Sequence, residues 1–377
     1  MRVDTVDRIL SLQQAPSWVV LYCTVEVDID GIIGRFRERW GEIPLVGCSS
    51  FHGVFTPSGF ARGAFALVGE AEDQVEMVVE AGETERDVFD EVQFGARALS
   101  KAMPRPDVLL LHATPGAEET VIKAIDPVFS STVPIFGGSA ADDDLSGRWR
   151  VFDIHGAHAN GYVLAGFRSK KKVYGELLGG YLATRHAGVV TRARGRLVEE
   201  IDGRPAAEVY NEWSNGSIRE ALGKRAPILG ETSLYPVGRI IKKVLGVPIH
   251  LLSHPAFVSG PENGLEMFSE FSEGEELFLM RGSEEALVKR TSMVVRQALT
   301  PRAQTSRPLS GGILIYCGGC VGAIESRIDA VVEEFRVSVQ EAPFIGVATF
   351  GEQGWARGTD GNRHGNLMCD VVLFDSV

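Results

Sequence analysis

The stretch of residues 309–354 decides the predicted fold, because it contains a strand, a glycine-rich turn, a helix and a second strand in that order. The first strand is the apolar run Gly312-Ile-Leu-Ile-Tyr316, and the turn is Cys317-Gly-Gly-Cys-Val-Gly322. Apolar residues then recur at helical spacing as far as Phe335, and Pro343 precedes the next apolar run. This order predicts a βαβ unit, and ligands of open α/β sheets bind beyond the carboxyl ends of such strands.

The same order of elements occurs three times along the chain. The first copy begins at the apolar run 18–22 and the second at the run 107–112. Each crossover ends in Pro-x-x-Gly with two apolar residues between, at Pro44, Pro134 and Pro343, and a further apolar run follows each copy. The recurrence predicts an α/β fold in which repeated βαβ(β) units form mixed, largely parallel sheets.

The length of 377 residues predicts two domains. The charged run Ser169-Lys-Lys-Lys172 follows a predicted strand, and the sequence pattern changes after it. We therefore place the boundary there, with two related domains at residues 1–172 and 173–377.

Charge and hydropathy limit the classes of partner. The net charge is −12, which disfavours nucleic acid and anionic membrane surfaces as partners. No apolar run approaches the ~20 residues of a membrane span. Residues 1–7 lack the basic and then apolar start of a signal peptide, and five cysteines do not make a disulfide framework. These features predict a cytoplasmic protein.

Several segments, taken in order, resemble the FIST sensory-domain family in both its N-terminal and its C-terminal parts. The N-terminal part is similar to Pro44-Leu-Val-Gly-Cys-Ser-Ser50 and to Pro134-Ile-Phe-Gly-Gly-Ser-Ala-Ala-Asp142. The C-terminal part is similar to the runs 190–206, 313–320 and 343–352. The resemblance covers nearly the whole chain, and the ordered set of segments carries it rather than one motif.

The resemblance implies a non-catalytic sensor that binds a small polar ligand, for which amino acids are the usual suggestion. It implies a separate signalling partner, such as a histidine kinase, a cyclic-di-nucleotide enzyme or a chemotaxis receptor. Some family members are haem proteins that sense nitric oxide, so haem is the alternative to having no cofactor. Two departures bear on the ligand: Phe51-His-Gly53 stands where the family has a glutamate-bearing turn, and Gly322-Ala-Ile324 replaces its usual arginine.

Eleven residues at predicted strand ends are candidates for lining a ligand site. Hydroxyl groups and free backbone N–H groups in such turns suit a carboxylate or another small anion, and the glutamate suits an amine. Tight turns of small residues are the structural alternative. No metal or nucleotide site is predicted, because the residues lack a second Cys-x-x-Cys and a Gly-x-x-x-x-Gly-Lys. The candidates are Gly47, Cys48, Ser49, Ser50, Gly138, Ser139, Cys317, Gly318, Gly319, Cys320 and Glu352.

The pair Cys317 and Cys320 is the sharpest chemical pattern in the sequence. Cys-x-x-Cys at a predicted helix start can support redox chemistry, so a thiol-dependent enzyme is an alternative to the sensor. Packing of two small residues is the plainer interpretation. A scaffold that binds a partner protein without any ligand is the last alternative. The preferred prediction is a sensor without catalytic residues.

Overall fold

The computed structural model describes residues 1–302 and 308–376. Its helices are α1 (Val6–Leu10), α2 (Ile29–Trp40), α3 (Val88–Ala102), α4 (Glu118–Phe129), α5 (Ala206–Trp213), α6 (Leu229–Thr232), α7 (Glu284–Ala298), α8 (Gly318–Ala323) and α9 (Ile328–Ser338). Short 3₁₀ turns lie at Ala71–Asp73, Arg219–Ala221 and Glu325–Arg327. Among the described residues, no helix is long and apolar enough to cross a lipid bilayer.

The strands fall into three repeated units and one insertion. The first unit contains β1 (Arg2–Thr5), β2 (Trp18–Cys23), β3 (Leu45–Ser49), β4 (Val54–Thr56), β5 (Gly59–Ala61) and β6 (Ala64–Gly69). The second contains β7 (Val75–Glu83), β8 (Val108–Ala113), β9 (Ile135–Ser139), β10 (Val151–Asp153), β11 (Ala157–His158) and β12 (Gly161–Ser169). The third begins with β13 (Val173–Leu178).

The insertion separates β13 from the rest of the third unit. It contains β14 (Leu182–Arg194), β15 (Leu197–Ile201), β16 (Arg204–Pro205), β17 (Arg225–Pro227), β18 (Val237–Val244), β19 (Val247–Ser253), β20 (Pro255–Ser259), β21 (Leu265–Met267) and β22 (Glu276–Arg281), which form a nine-stranded sheet. The third unit then continues with β23 (Leu309–Cys317), β24 (Phe344–Thr349), β25 (Glu352–Gly354), β26 (Arg363–Gly365) and β27 (Cys369–Asp375).

Each unit supplies four strands of a six-stranded sheet, which is built around one βαβ crossover. The pairs β2–β3, β8–β9 and β23–β24 are parallel, and the last strand of each unit returns antiparallel beside the first of the pair. Helices α1 and α2, α3 and α4, and α7 and α9 cover the outer faces, while the inner faces share one apolar core. The predicted mixed α/β fold of repeated units is confirmed.

Parallel pairing is a smaller share of these sheets than we predicted. Within the described strands, parallel ladders occur in these three pairs, and the other ladders are antiparallel. A parallel pair needs a long crossover, which is a helix in each unit. The remaining strands follow one another through hairpins and short connections, so they run antiparallel.

The units exchange hairpins in a closed cycle. The hairpin β4–β5 of the first unit pairs with β24 in the sheet of the third. The hairpin β25–β26 of the third unit pairs with β9 of the second, and β10–β11 of the second pairs with β3 of the first. Each sheet is therefore completed by another unit. The division into domains at residues 1–172 and 173–377 stays a prediction.

The glycine of each Pro-x-x-Gly motif lies where its strand approaches the preceding strand most closely. Gly47 is paired with Leu21, and Gly137 with Leu111. A Cβ atom at either glycine would overlap the carbonyl oxygen of its partner leucine. Gly346 is less tight, because a Cβ there would lie 3.0 Å from the nearest atoms. The glycine of the repeated motif therefore marks a close approach of two strands in all three units, closest in the first and second.

Candidate functional site

A cavity of about 410 Å³ lies where three connecting segments meet the inserted sheet. These connecting segments, the unit linkers, join the second strand of each crossover to the exchanged hairpin: residues 50–53, 140–150 and 350–351. The described residues that line this linker cavity are Phe51, Asp143, Asp144, Leu145, Leu229, Gly230, Ser233, His254, Phe268, Cys317, Gly318, Gly319, Gly322, Ala323, Phe350 and Asn366.

The unit linkers are held together by a ring of backbone hydrogen bonds. The N–H of Phe51 donates to the carbonyl of Ala348 at 3.0 Å, and the N–H of Phe350 donates to Ser139 at 3.0 Å. The N–H of Ala141 donates to the carbonyl of Ser49 at 3.0 Å and closes the ring. The first unit is thus tied to the third, the third to the second and the second to the first.

Aromatic rings form much of the cavity wall. The rings of Phe51 and Phe350 lie 5.7 Å apart, and Trp149 approaches Phe350 edge-on at 6.2 Å. Phe268, which follows β21 in the insertion, adds a third phenylalanine ring to the cavity wall. Such a wall favours the apolar part of a ligand, which loses contact with water on binding.

The cavity also contains a buried amide group with an unused donor. The side-chain oxygen of Asn366 accepts the N–H of His254 at 3.4 Å, and this contact orients the amide. The Nδ2 atom of Asn366 has no hydrogen-bond partner among the described residues. Burial lowers the pKa of His254 to about 4, although its hydrogen bond to Leu229 acts to raise it, so the imidazole is neutral near pH 7.

Two aspartates at the cavity edge are already engaged by arginines. Asp143 contacts Arg62 at 2.8 Å and also accepts the N–H of His52 at 3.0 Å. Asp144 contacts Arg148 at 3.2 Å. Because the arginines offset the negative charges of the two carboxylates, this edge of the cavity is polar but carries little net charge.

The three predicted glycine turns lie in one region of the structure. Some of the candidate residues in this region line the cavity and others do not. Cys317, Gly318 and Gly319 line the cavity, and Cys320 lies buried behind them. Gly47, Cys48, Ser49, Ser50, Gly138, Ser139 and Glu352 are buried and do not line it. As ligand-binding residues, the eleven candidates stay predictions.

The hydroxyl groups among the candidates are bonded to other parts of the protein. Ser49 Oγ accepts the N–H of Arg150 at 2.9 Å, and Ser50 Oγ accepts that of Ala348 at 2.9 Å. Ser139 Oγ donates to Glu118 at 2.8 Å. These serines hold strands and linkers in place.

The carboxylate of Glu352 is likewise internal. It accepts the hydroxyl of Thr349 and the N–H of Met368, each at 2.8 Å. Burial raises its pKa to about 8, against the effect of these two hydrogen bonds. Glu352 is therefore largely protonated near pH 7, and it does not present a negative charge to an amine.

The sequence analysis did not identify Asn366, His254, Phe268 or Phe350 as cavity residues. One signal was present in the repeat itself, because Phe51 and Phe350 occupy the same position relative to the prolines of their motifs. Asn366 and His254 had no such signal, since they reach the cavity from the third unit and the insertion through tertiary packing.

Glu118, Glu119 and His364 form a cluster whose ligand atoms lie within 4.8 Å of one another. Arg196 donates to the two carboxylates at 2.6 and 2.7 Å, and His364 Nε2 lies 3.2 Å from the carbonyl oxygen of Phe268. The guanidinium already supplies the positive charge that a cation would bring. We interpret this cluster as a salt bridge.

The buried histidines do not fit a haem iron. In the cavity, Nε2 of His254 lies 3.1 Å from the carbonyl of Leu229, and Nδ1 faces the backbone at Gly319. Both ring nitrogens of His112 and of His364 have hydrogen-bond partners. An axial ligand needs a free nitrogen directed into an apolar pocket, so we derive no step through haem.

Two family models match the chain. The FIST N domain matches residues 17–204, and the FIST C domain matches residues 206–355. None of the curated proteins compared with the chain matches it. The cavity draws Phe51 and Asp143 from the first matched region and Leu229 and Phe350 from the second, so it lies between them.

Proposed function

Because the chain belongs to the FIST family, whose domains are associated with sensing small ligands in signalling proteins and are in general non-catalytic, we propose that it is a sensor whose linker cavity binds an amino-acid-like ligand. The cavity favours a ligand with one apolar portion and one hydrogen-bonding portion. Its contacts reach linkers from all three units, which supports a role in which ligand binding alters the whole ring.

The observation that carries this proposal is Asn366, which lines a largely apolar cavity and whose buried Nδ2 donor has no partner among the described residues. A buried polar group without a partner costs about 1–3 kcal/mol, so a ligand oxygen that accepts this bond recovers much of that cost. An amino-acid carboxylate supplies such an oxygen. Its side chain, if apolar, packs against the rings of Phe51, Phe268 and Phe350.

The ammonium group of the same ligand would face the aspartate edge. Asp144 is at the entrance, and the charge of Arg148 is its nearby counterpart. The two charged groups of the amino acid would then contact Asp144 and Asn366, and its apolar side chain would contact the phenylalanine rings. We propose a histidine kinase or a cyclic-di-nucleotide enzyme as the separate partner that receives the signal, following the family resemblance.

The experiment is a thermal-shift screen of the full chain against the common amino acids, followed by calorimetric titration of each hit. We expect amino acids with apolar or aromatic side chains to raise the melting temperature. Asn366→Ala should weaken binding by about 5- to 30-fold, because one hydrogen bond in a buried site is lost. Asn160→Ala, at an exposed position away from the cavity, is the matched control.

Two results would contradict the proposal. One is a flat response across the screen, which favours a scaffold without a ligand. The other is binding that Asn366→Ala and Asn160→Ala leave equally tight, which would place the ligand elsewhere.

A further inference from the structure

Cys317 and Cys320 are adjacent in space as well as in sequence. Cys317 ends β23, precedes the first residue of α8 and lines the cavity, and Cys320 is the third residue of that helix. Side chains at these two helix positions face each other. Hydrogen bonding from the Cys317 side chain acts to lower the pKa of Cys320, as expected for thiols at these two positions. The spacing and the helix geometry together place two buried thiols beside the cavity, with Cys317 in its wall and Cys320 behind it.

A buried arginine lies beside this pair. Arg290, on α7, is fully buried, and its Nη1 donates to the carbonyls of Leu367 at 2.7 Å and Gly179 at 3.3 Å. Its Nε and Nη2 atoms have no hydrogen-bond partner among the described residues. The salt bridges of this part of the chain do not include Arg290. A buried cation in this state needs an anion close by.

The charge of Arg290 favours the thiolate form of Cys320. Its sulfur lies 3.4 Å from the hydroxyl of Tyr181 and 3.9 Å from the carbonyl of Leu367, the same carbonyl that Arg290 contacts. Burial acts to raise the pKa of Cys320, but the Cys317 thiol, the Arg290 charge and the Tyr181 hydroxyl together lower it to about 6. Burial raises the pKa of Cys317, which therefore keeps its proton.

We propose that Cys317 and Cys320 are an oxidation-sensitive pair, which a hydroperoxide converts reversibly into a disulfide in the wall of the linker cavity. This modification site goes beyond the proposed ligand binding and does not depend on it. Cys320 does not line the cavity, but Gly319 and Gly322 of the same helix do, so a small oxidant would have to reach the sulfur past these two glycines.

The reaction has two steps. The thiolate sulfur of Cys320 attacks one peroxide oxygen, so that an S–O bond forms, the O–O bond breaks and hydroxide or alkoxide leaves. The sulfur of Cys317 then attacks the sulfenic sulfur, an S–S bond forms, and the S–O bond breaks with loss of water that carries the Cys317 proton. The two sulfurs lose two electrons and the peroxide gains them. A thiol reductant reverses the change by disulfide exchange.

The test uses the reduced full chain and stoichiometric hydrogen peroxide, followed by alkylation under denaturing conditions and mass spectrometry. Before peroxide, all five thiols should be alkylated, since the described structure has five free cysteines. Afterwards we expect three, with the loss mapped to Cys317 and Cys320 and reversed by dithiothreitol. Five alkylated thiols after peroxide, or a loss at Cys23 and Cys48 instead, would overturn the proposal.

Variants separate the roles of the two sulfurs. Cys320→Ser should abolish the reaction, and Cys317→Ser should stop it at a sulfenic acid that dimedone traps. Cys369→Ser is the matched control, because Cys369 is equally buried nearby, and it should still form the disulfide. If two thiols are lost to a disulfide at the wild-type rate in Cys320→Ser, the disulfide involves other cysteines and the proposal is contradicted.

The role of Arg290 has its own measurement. In the Cys317→Ser background, Arg290→Met should slow dimedone trapping by ~10-fold or more, because the thiolate loses its nearby positive charge. Arg290→Lys keeps the charge and should restore much of the rate. Equal trapping rates with arginine, methionine and lysine at position 290 would show that Arg290 has no role in the reaction. If an Arg290 variant fails to fold, the cysteine variants still test the pair.

Discussion

The hydroxyl oxygen of Ser50 accepts the backbone N–H of Ala348 at 2.9 Å, across 298 residues of sequence. The same hydroxyl donates to the carbonyl of Gly53. Ser50 was a candidate for ligand contact, and in the structure its hydroxyl accepts a bond from the third unit and donates one within the first. Its side chain is therefore part of the scaffold around the cavity.

We expect Ser50→Ala to lower the free energy of unfolding by about 1–3 kcal/mol, because it leaves the buried N–H of Ala348 without a partner. Urea unfolding followed by circular dichroism measures this change. Ser58→Ala, at an exposed site nearby, should stay within ~0.5 kcal/mol of the wild type. Equal stability of the two variants would show that the bond across the units contributes little.

Glycine at position 47 should be required by backbone packing. A Cβ there would overlap the carbonyl oxygen of Leu21, so we expect Gly47→Ala to destabilise the fold by more than about 2 kcal/mol. Gly34 lies in α2 with no atom near a built Cβ, and Gly34→Ala should stabilise by up to ~1 kcal/mol. Thermal unfolding of the pair gives opposite signs, and a shared sign would contradict this explanation of the motif.

The buried guanidinium group of Arg290 packs on the ring of Tyr316, and two variants of Tyr316 test how much this contact stabilises the fold. The guanidinium carbon lies 4.1 Å from the ring centre, and the Tyr316 hydroxyl donates to the carbonyl of Leu287 at 3.0 Å. Tyr316→Phe removes only the hydroxyl and should cost ~1 kcal/mol. Tyr316→Leu removes the ring and should cost at least ~2 kcal/mol more. Similar losses in both variants would argue against the cation–ring contact.

Glu352 predicts a pH dependence of stability with a defined sign. Burial raises its pKa from the ordinary 4.5 to about 8, so the folded state holds a proton that the unfolded state releases. This contribution is complete below pH 4.5 and is lost as the pH rises to about 8, with a slope of up to ~1.4 kcal/mol per pH unit.

Glu352→Gln keeps the shape of the neutral acid and does not titrate. The wild type should therefore lose stability relative to Glu352→Gln as the pH rises from 5 to 8. The difference in unfolding free energy should level off above about pH 8. Guanidinium unfolding at each pH measures it. A difference that does not change with pH would mean that Glu352 is charged in the folded state.

Arg196 joins the inserted sheet to the second unit through Glu118 and Glu119. The side chain of Glu118 is 2% exposed, so Arg196→Met leaves a buried carboxylate without its charged partner and should cost about 3–5 kcal/mol. Arg192 is 56% exposed and also paired, and Arg192→Met should cost at most ~1 kcal/mol. Denaturant unfolding compares them, and equal effects would indicate that burial of the pair is unimportant.

The repeat was predictable because it leaves a regular signal. An apolar strand, a crossover and Pro-x-x-Gly recur at similar spacing, and the glycine is fixed by a close approach of the backbones. The exchange of hairpins left no comparable signal. Strands β4, β10 and β25 have three residues each, which is too short for a period to show, and their partners lie in other units.

The sequence indicated the region of the candidate cavity, but few of the side chains that line it. Glycine turns at strand ends indicated the region, and Cys317 does line the cavity. Ser50 and Glu352 carry polar groups at the right strand ends, yet burial and internal hydrogen bonds occupy them. The free amide of Asn366 depends on which groups tertiary packing leaves without partners, and a linear pattern does not encode that.

The cyclic exchange of hairpins limits how this molecule can move. Separating the two family regions would pull β4–β5 and β25–β26 out of the sheets that they complete, so a clamshell opening would break backbone ladders. By the same logic, a gene split between residues 204 and 206 would take β14 and β15 out of the middle of the nine-stranded sheet and separate β13 from β27, so we expect each fragment to need the other to fold.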